Sequence, residues 1–185
     1  QRVENAMQEL DIPVELTGSN HSTGTERVAE VASRHKDEIV INIQGDEPFI
    51  SPDIIDGAVL LLLEEKSIQM STAASLYLSQ DEWENPNVVK VELDDDGFAK
   101  DFFRVLEGEQ STKHLKHIGI YTFRREYLLK LVKMEKSSRE IERRLEQMRA
   151  MDIDCKMGVF VTEYDVIGVN TPDDLNALIE NMGIA

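Results

Sequence analysis

The sequence predicts an α/β fold: a mainly parallel sheet with helices on both faces and an antiparallel hairpin inserted into it. Three observations predict it. Strand-like and helix-like stretches alternate along the chain. The run Ile39-Val40-Ile41-Asn42-Ile43 is almost wholly apolar, which suits a strand covered on both faces. Finally, Asp94-Asp95-Asp96-Gly97 stands between two strand-like runs, a strong hairpin signal.

The elements follow in order. Val3, Ala6, Met7 and Leu10 recur at helical spacing, so residues 1–10 read as helix and Val14 to Thr17 as a short strand. Thr25 to His35 reads as a helix with Val28, Val31, Ala32 and His35 on one face. A strand at 39–44 ends at Gly45 and Pro48. Ser51-Pro52-Asp53 then opens a helix to Lys66, with serine as N-cap and proline at N1.

Residues 71–78 read as a strand, and Val88 to Leu93 with Phe98 to Phe103 as the hairpin arms. Ile118 to Phe123 is another strand. Arg124 to Val132 and Arg139 to Met151 read as helices, Cys155 to Val161 and Val166 to Val169 as strands. Thr171 to Asn181 is the last helix, with a capping box at Thr171-Pro172-Asp173-Asp174 and Gly183 closing it. No linker, repeat or low-complexity tract intervenes, so residues 1–185 read as a single α/β domain. The missing initiator Met and the helical pattern at the first residues make the domain read as incomplete at its N-terminus.

Composition narrows the function. The chain has 36 acidic against 20 basic residues and a formal charge of −16. Such a surface repels nucleic acid and anionic membrane, so neither is an expected partner. A phosphate site would have to bring its own metal or a local basic cluster. The longest wholly apolar run, Ala58 to Leu63, is too short to span a bilayer, and no signal peptide is visible. The single Cys155 excludes an internal disulfide, fits a reducing compartment and reads as a structural thiol.

Gln44-Gly45-Asp46-Glu47-Pro48 carries the strongest chemical signal. It sits at the carboxyl edge of a strand, where open α/β sheets bind ligands, and a carboxylate there suits a divalent metal and its phosphate ligand. The plain alternative is a polar strand terminus, with Glu47 supporting the turn. Asp94 to Asp96 lacks the later glutamate of a calcium loop and reads as a solvated turn. His114 and His117 have no further ligand to complete a zinc site; His117 is either a substrate contact or a packed histidine at a strand edge. Glu140 with Arg144 reads as a modest pair on a solvated or dimer-facing helix. Trp83 and Tyr77 read as packing residues.

Asn20-His21-Ser22-Thr23-Gly24-Thr25-Glu26-Arg27-Val28, followed by Ile43 to Pro48, resembles the 3-deoxy-manno-octulosonate (Kdo) cytidylyltransferases, or CMP-Kdo synthetases. Asn85-Pro86-Asn87-Val88-Val89-Lys90, Phe102 and Arg104, His117 to Tyr121, Leu145 to Arg149 and Gly168 to Leu175 continue the likeness in order along the whole chain. The resemblance implies the nucleotide-diphospho-sugar transferase fold and a cytoplasmic homodimer. It also implies CTP and Kdo as substrates, Mg²⁺ as cofactor, and a place in lipopolysaccharide biosynthesis. It makes Asp46 a metal ligand and, with Arg104, a catalytic residue. Thr23, Gly24, Thr25 and Gln44 would meet the nucleotide, and Arg104, His117, Tyr121, Glu146 and Gln147 the sugar acid.

The chain departs from the family pattern in several places. The family's phosphate-cradling loop, ending in Pro-Gly-Lys-Pro, has no counterpart here. Asn170 stands where the family has its second metal-binding Asp, and an amide oxygen coordinates without bringing charge. Asp165 lies too far along the chain to take its place. Phe103 replaces a serine, and Arg143 replaces an acid. These changes keep two alternatives open: an impaired or inactive relative acting as a binding or dimerisation module, or a related sugar-acid nucleotidyltransferase.

Overall fold

In the computed structural model, which describes residues 2–105, 108, 110–166, 168–169 and 171–182, the chain alternates helices and strands as its pattern predicts. Helices α1 (Arg2–Glu9) and α2 (Gly24–Arg34) precede strand β1 (Ile39–Ile43), helix α3 (Pro52–Glu64) and strand β2 (Met70–Ser75). A short helix α4 (Gln80–Glu84) leads into the hairpin β3 (Lys90–Leu93) and β4 (Ala99–Phe103), then the long strand β5 (His114–Arg124). Helices α5 (Arg125–Leu131), α6 (Ser138–Arg143) and α7 (Met148–Met151), strand β6 (Met157–Thr162) and helix α8 (Pro172–Met182) complete it.

Local chemistry sets the helix starts. Thr23, Ser51 and Ser79 each accept a backbone N–H at an N-cap, and Thr171 with Asp174 forms the predicted reciprocal box. Gly97 turns the hairpin with φ of 84°, and the Asp94 carboxylate accepts the N–H groups of Asp96 and Phe98. The aspartates thus serve the turn.

One six-stranded sheet organises these elements, in the order β4-β3-β5-β2-β6 with β1 also on β5. Strands β1, β2, β3 and β6 run one way, and β4 and β5 run the other. The sheet is therefore mixed in its pairing: β2–β6 is the parallel pair, and β5 lies antiparallel to each of its three neighbours. An apolar strand reads the same whichever way its neighbour runs, so the sequence does not carry this.

β5 also creates the feature that positions the site. One of its edges follows β2; the other is shared by β1, opposite residues 120–124, and β3, opposite residues 114–116. Between them a notch is left at Ile118 and Gly119.

Two apolar clusters fill the two faces of the sheet. Ile54 and Ala58 of α3 pack with Ala73, Ile118 and Ile120 on one; residues of α2, α5 and α7 pack with Met70, Phe102, Tyr121 and Phe123 on the other. At Gly57 of α3 an added Cβ would stand 2.4 Å from the Phe160 ring, so the bare glycine lets that ring pack directly on the helix. No described helix is long and apolar enough to cross a membrane.

Several expectations are corrected. Val14 to Thr17 is extended but joins no ladder; it lies along α2, tied by Glu15 to Arg34 and His35. β1 is not covered on both faces, since Ile41 and Ile43 are 38% and 42% exposed. Residues 139–151 do not form one helix. Arg144 takes a left-handed conformation, φ of 54°, and splits the stretch into α6 and α7. Glu140 consequently pairs not with Arg144 but with Arg149, through two hydrogen bonds of 2.7 and 2.6 Å in the interior. Residues 166 and 168–169 are irregular rather than strand, while Ile167, Asn170 and Gly183 lie outside the described residues.

Candidate active site

Beside the notch a cavity of about 670 Å³ opens between the end of β1, the start of β3, the α6–α7 corner and the start of α8. Its walls bring together Gln44, Asp46, Arg104, His117, Tyr121, Glu146 and Gln147, all picked out above. Thr23, Gly24 and Thr25 are not on the wall. They stand one layer behind it, where the Gly24 and Thr25 N–H groups donate to the Glu146 carboxylate at 3.3 and 3.2 Å. An acid at a helix N-terminus is favoured by the aligned peptide dipoles. Asn170 cannot be placed, because it lies outside the described residues.

The notch itself is closed by a side chain. Glu47 Oε1 accepts the Gly119 N–H at 2.8 Å, where a strand neighbour would otherwise sit, and the Gly119 carbonyl accepts the Gln44 N–H at 3.0 Å. Gly119 leaves little room: a Cβ there would lie 3.0 Å from Glu47 Oε1 and 3.3 Å from Gln44 Oε1 and would press on both side chains. Burial raises the Glu47 carboxyl above its ordinary range; the Gly119 N–H opposes this and the neighbouring Asp46 adds to it. Its second oxygen is buried with no hydrogen-bond partner among the described residues. Glu47 thus supports more than its own turn.

His117 is held rigidly. Thr72 Oγ1 lies 2.7 Å from the Ile120 carbonyl and 2.8 Å from His117 Nε2. The carbonyl can only accept, so the single hydroxyl proton goes to it and Nε2–H donates to Thr72. That fixes the tautomer and leaves Nδ1 as an acceptor. Burial pushes the imidazole down to about 3, so it is neutral at physiological pH. The ring packs against Phe102 and Tyr121. The Tyr121 phenol is itself raised far above its usual range, by burial first and by Glu146 second.

Further groups on the wall escaped the sequence reading. Lys116 pairs with Glu82 at 2.8 Å and with Asp165 at 2.5 Å. Burial works to lower its ammonium, but the two carboxylates outweigh it and hold it above the ordinary value. Asp165 is thereby committed to a lysine. Arg104 donates to the Pro86 carbonyl at 3.1 Å and to the Arg144 carbonyl at 3.4 Å. Lys116 stands in β5 beside His114 and His117, ahead of the apolar run that marks the strand in the sequence, so no local signal singles it out.

The donor chemistry around Asp46 and Glu47 suits a hard cation: two adjacent carboxyl groups, one with an orphaned buried oxygen. Among the described residues no three carboxylate, histidine or cysteine side chains form a metal cage. Mg²⁺ commonly takes only one or two carboxylates, with phosphate oxygens and water filling its shell. Acidic side chains outnumber basic ones on the cavity wall; Lys116 is already paired with Glu82 and Asp165, and the Arg104 guanidinium is held by two main-chain carbonyls.

Comparison with known proteins agrees with this geometry. The family model described as Cytidylyltransferase matches residues 1–157. The 3-deoxy-manno-octulosonate cytidylyltransferase of Geobacter sulfurreducens is 37% identical over 196 residues, spanning 98% of this chain and 78% of the relative. That of Solibacter usitatus is 40% identical over 180 residues, spanning 95% and 71%. Among solved structures, CMP:2-keto-3-deoxy-manno-octonic acid synthetase complexed with CTP superimposes with a TM-score of 0.88 at 29% identity, covering 99% of this chain and 77% of that one. The 4-diphosphocytidyl-2C-methyl-D-erythritol synthase of Anaerococcus prevotii, at 16% identity and a TM-score of 0.62, shares the fold alone. The architecture is that of the nucleotide-diphospho-sugar transferases, and with relatives this similar along nearly its whole length the chain belongs to the cytidylyltransferase family.

Proposed function

We propose that this chain transfers a cytidylyl group from CTP to 3-deoxy-manno-octulosonate, giving CMP-Kdo and pyrophosphate for lipopolysaccharide assembly. The observation that carries the reading is the single cavity that gathers Gln44, Asp46, Arg104, His117, Tyr121, Glu146 and Gln147 from four separate parts of the chain. The relatives named for this reaction supply its identity.

In the reaction the anomeric hydroxyl oxygen of the sugar acid attacks the α-phosphorus. The bond to pyrophosphate breaks, and the hydroxyl proton passes to solvent water. Catalysis of this kind rests on positioning and on neutralising charge. Arg104 offers its guanidinium to the sugar carboxylate, a pairing strengthened by charge. Lys116, paired with Glu82 and Asp165, holds those two carboxylates in place on the same wall.

His117 and Tyr121 orient the sugar hydroxyls. Neither takes the proton: the imidazole is too weak a base at about 3, and the phenol stays protonated. Asp46 with Glu47, and the Asn170 amide as a weaker ligand, would hold Mg²⁺, which supplies charge neutralisation at the triphosphate. Gly24 and Thr25 act through Glu146, which they fix in place. The proposal includes a cytoplasmic homodimer; the lone Cys155, whose thiol burial pushes up, suits a reducing compartment.

Pyrophosphate release from CTP and Mg²⁺, measured with Kdo and a panel of other sugar acids, tests the reading. Release with Kdo is the expected result. Release with a different acid only would shift the substrate, and no release with any acid would overturn the enzyme reading in favour of a non-catalytic relative.

A further inference from the structure

The fold buries a cation that the chemistry above leaves unused. Lys90, the first residue of β3, is 0% exposed. Lysines buried this fully ordinarily pair with a carboxylate. Lys90 instead spends its ammonium on two main-chain oxygens, donating to the Asn85 carbonyl at 2.8 Å and the Arg104 carbonyl at 2.9 Å. Both residues stand on the cavity wall.

The arrangement closes on itself. Arg104 reaches back to the Pro86 carbonyl, next to Asn85, so the segment before β3 and the residue after β4 are tied twice. The Lys90 backbone is itself held between Phe103 of β4 and Lys116 of β5. Its ammonium therefore stands at a fixed point beneath the wall.

We infer that Lys90 is a positioning residue for the acidic co-substrate: its ammonium sets the placement of Arg104 and of residues 85–89, and thereby how the guanidinium meets a carboxylate. This rests on the reading of Arg104 given under Proposed function.

The energetics separate this role from a structural one. Burial pushes the Lys90 ammonium down to about 8; Glu82 on α4 opposes this, and Arg104 adds to it. Lys116 faces it from β5, sharing Glu82. Because the folded value lies below the ordinary 10.5, the unfolded chain holds the proton more tightly. The Lys90 contribution to stability therefore rises as pH climbs from about 8 to 10.5. The clamp weakens over the same window. Affinity for the sugar acid and folding stability should move in opposite directions with pH.

Lys90→Met and Lys90→Arg test the inference, each checked for folding by thermal melting. Lys90→Met should raise KM for Kdo about 10- to 100-fold, the cost of leaving buried acceptors unpaired, with KM for CTP changed only a few-fold. In the wild type KM for Kdo should climb above pH of about 8, and Lys90→Arg should move that limb upward, since a guanidinium does not titrate there. A folded Lys90→Met with unchanged KM for Kdo, or with equal rises for both substrates, overturns the inference. Where Lys90→Met does not fold, an alkaline limb left in place by Lys90→Arg overturns it. A wild type that releases no pyrophosphate counts against the function instead; calorimetric binding of Kdo at pH 7 and pH 9 by wild type and Lys90→Arg then decides, with identical pH responses refuting the role.

Discussion

Glu146 and Thr25, 121 residues apart in the chain, meet where the carboxylate accepts the Thr25 N–H at 3.2 Å. The first turn of α2 is thus held by an acid from the α6–α7 corner, on the wall of the cavity. Removing the acid with Glu146→Ala should cost about 1 kcal/mol in urea unfolding, the usual worth of a helix-terminal acceptor. It should also raise KM for the sugar acid, because the adjacent wall loses its anchor. Glu146→Gln, which keeps an acceptor, should fall between the two. Equal stability of all three proteins would mean that the contact is not maintained in solution.

Asp46 carries a different expectation. It lies at the cavity and is not part of the core, so Asp46→Asn should leave the melting temperature nearly unchanged. Pyrophosphate release should drop on the order of 100-fold or more, since phosphoryl transfer leans on metal-borne charge neutralisation. EDTA should abolish release in the wild type, and Mg²⁺ should restore it. An active Asp46→Asn enzyme with wild-type Mg²⁺ dependence would remove this residue from the metal site.

The Glu140–Arg149 pair lies in the interior, each residue no more than 5% exposed. Breaking it from one side strands a charge. Arg149→Met should therefore cost about 3–5 kcal/mol. Replacing both, Glu140→Met with Arg149→Met, should recover most of that loss, because neither desolvated ion remains. Denaturant titration of the single and double variants measures the difference; additive losses would contradict a coupled pair.

His117 gives the pH prediction. Its folded basicity, near 3, lies below the ordinary 6.5, so the folded state favours the neutral ring. The contribution is complete above pH 6.5 and is lost as pH falls from there through about 3, while the unfolded chain takes up the proton. Stability of the wild type should decline more steeply over that window than that of His117→Gln. Parallel declines would show that the ring is solvated.

Much of the fold was legible because it is written locally. The Ser51 cap, the Thr171–Asp174 box and the Asp94–Gly97 turn each rest on side chains bonding to nearby backbone, so a few residues suffice to read them. Strand direction was not legible. Ile39 to Ile43 would look the same against any neighbour, and what chose β5 as its antiparallel partner lies some eighty residues away. The break at Arg144 was equally hidden, since arginine is a good helix former and only the buried meeting of Glu140 with Arg149 reveals the corner. Asp46 and Glu47 stood out by their place at a strand's carboxyl edge, whereas Arg104, Tyr121, Glu146 and Gln147 were legible only through resemblance to a family. Lys90 and Lys116 were passed over because a lysine is ordinarily a surface residue, and nothing local marks one that is not.

The notch in the sheet has a consequence for how this scaffold can be altered. Among the described residues β1 and β3 share no ladder; each is paired separately with β5, and Glu47 spans the interval with one side chain. The wall that carries Asp46 and the wall that carries Arg104 are therefore separate modules on a common spine. Insertions or exchanges in the β3–β4 hairpin could retune which acid is accepted without shifting the carboxylates on the other side. Selection, or a designer, could vary the acceptor and hold the donor constant.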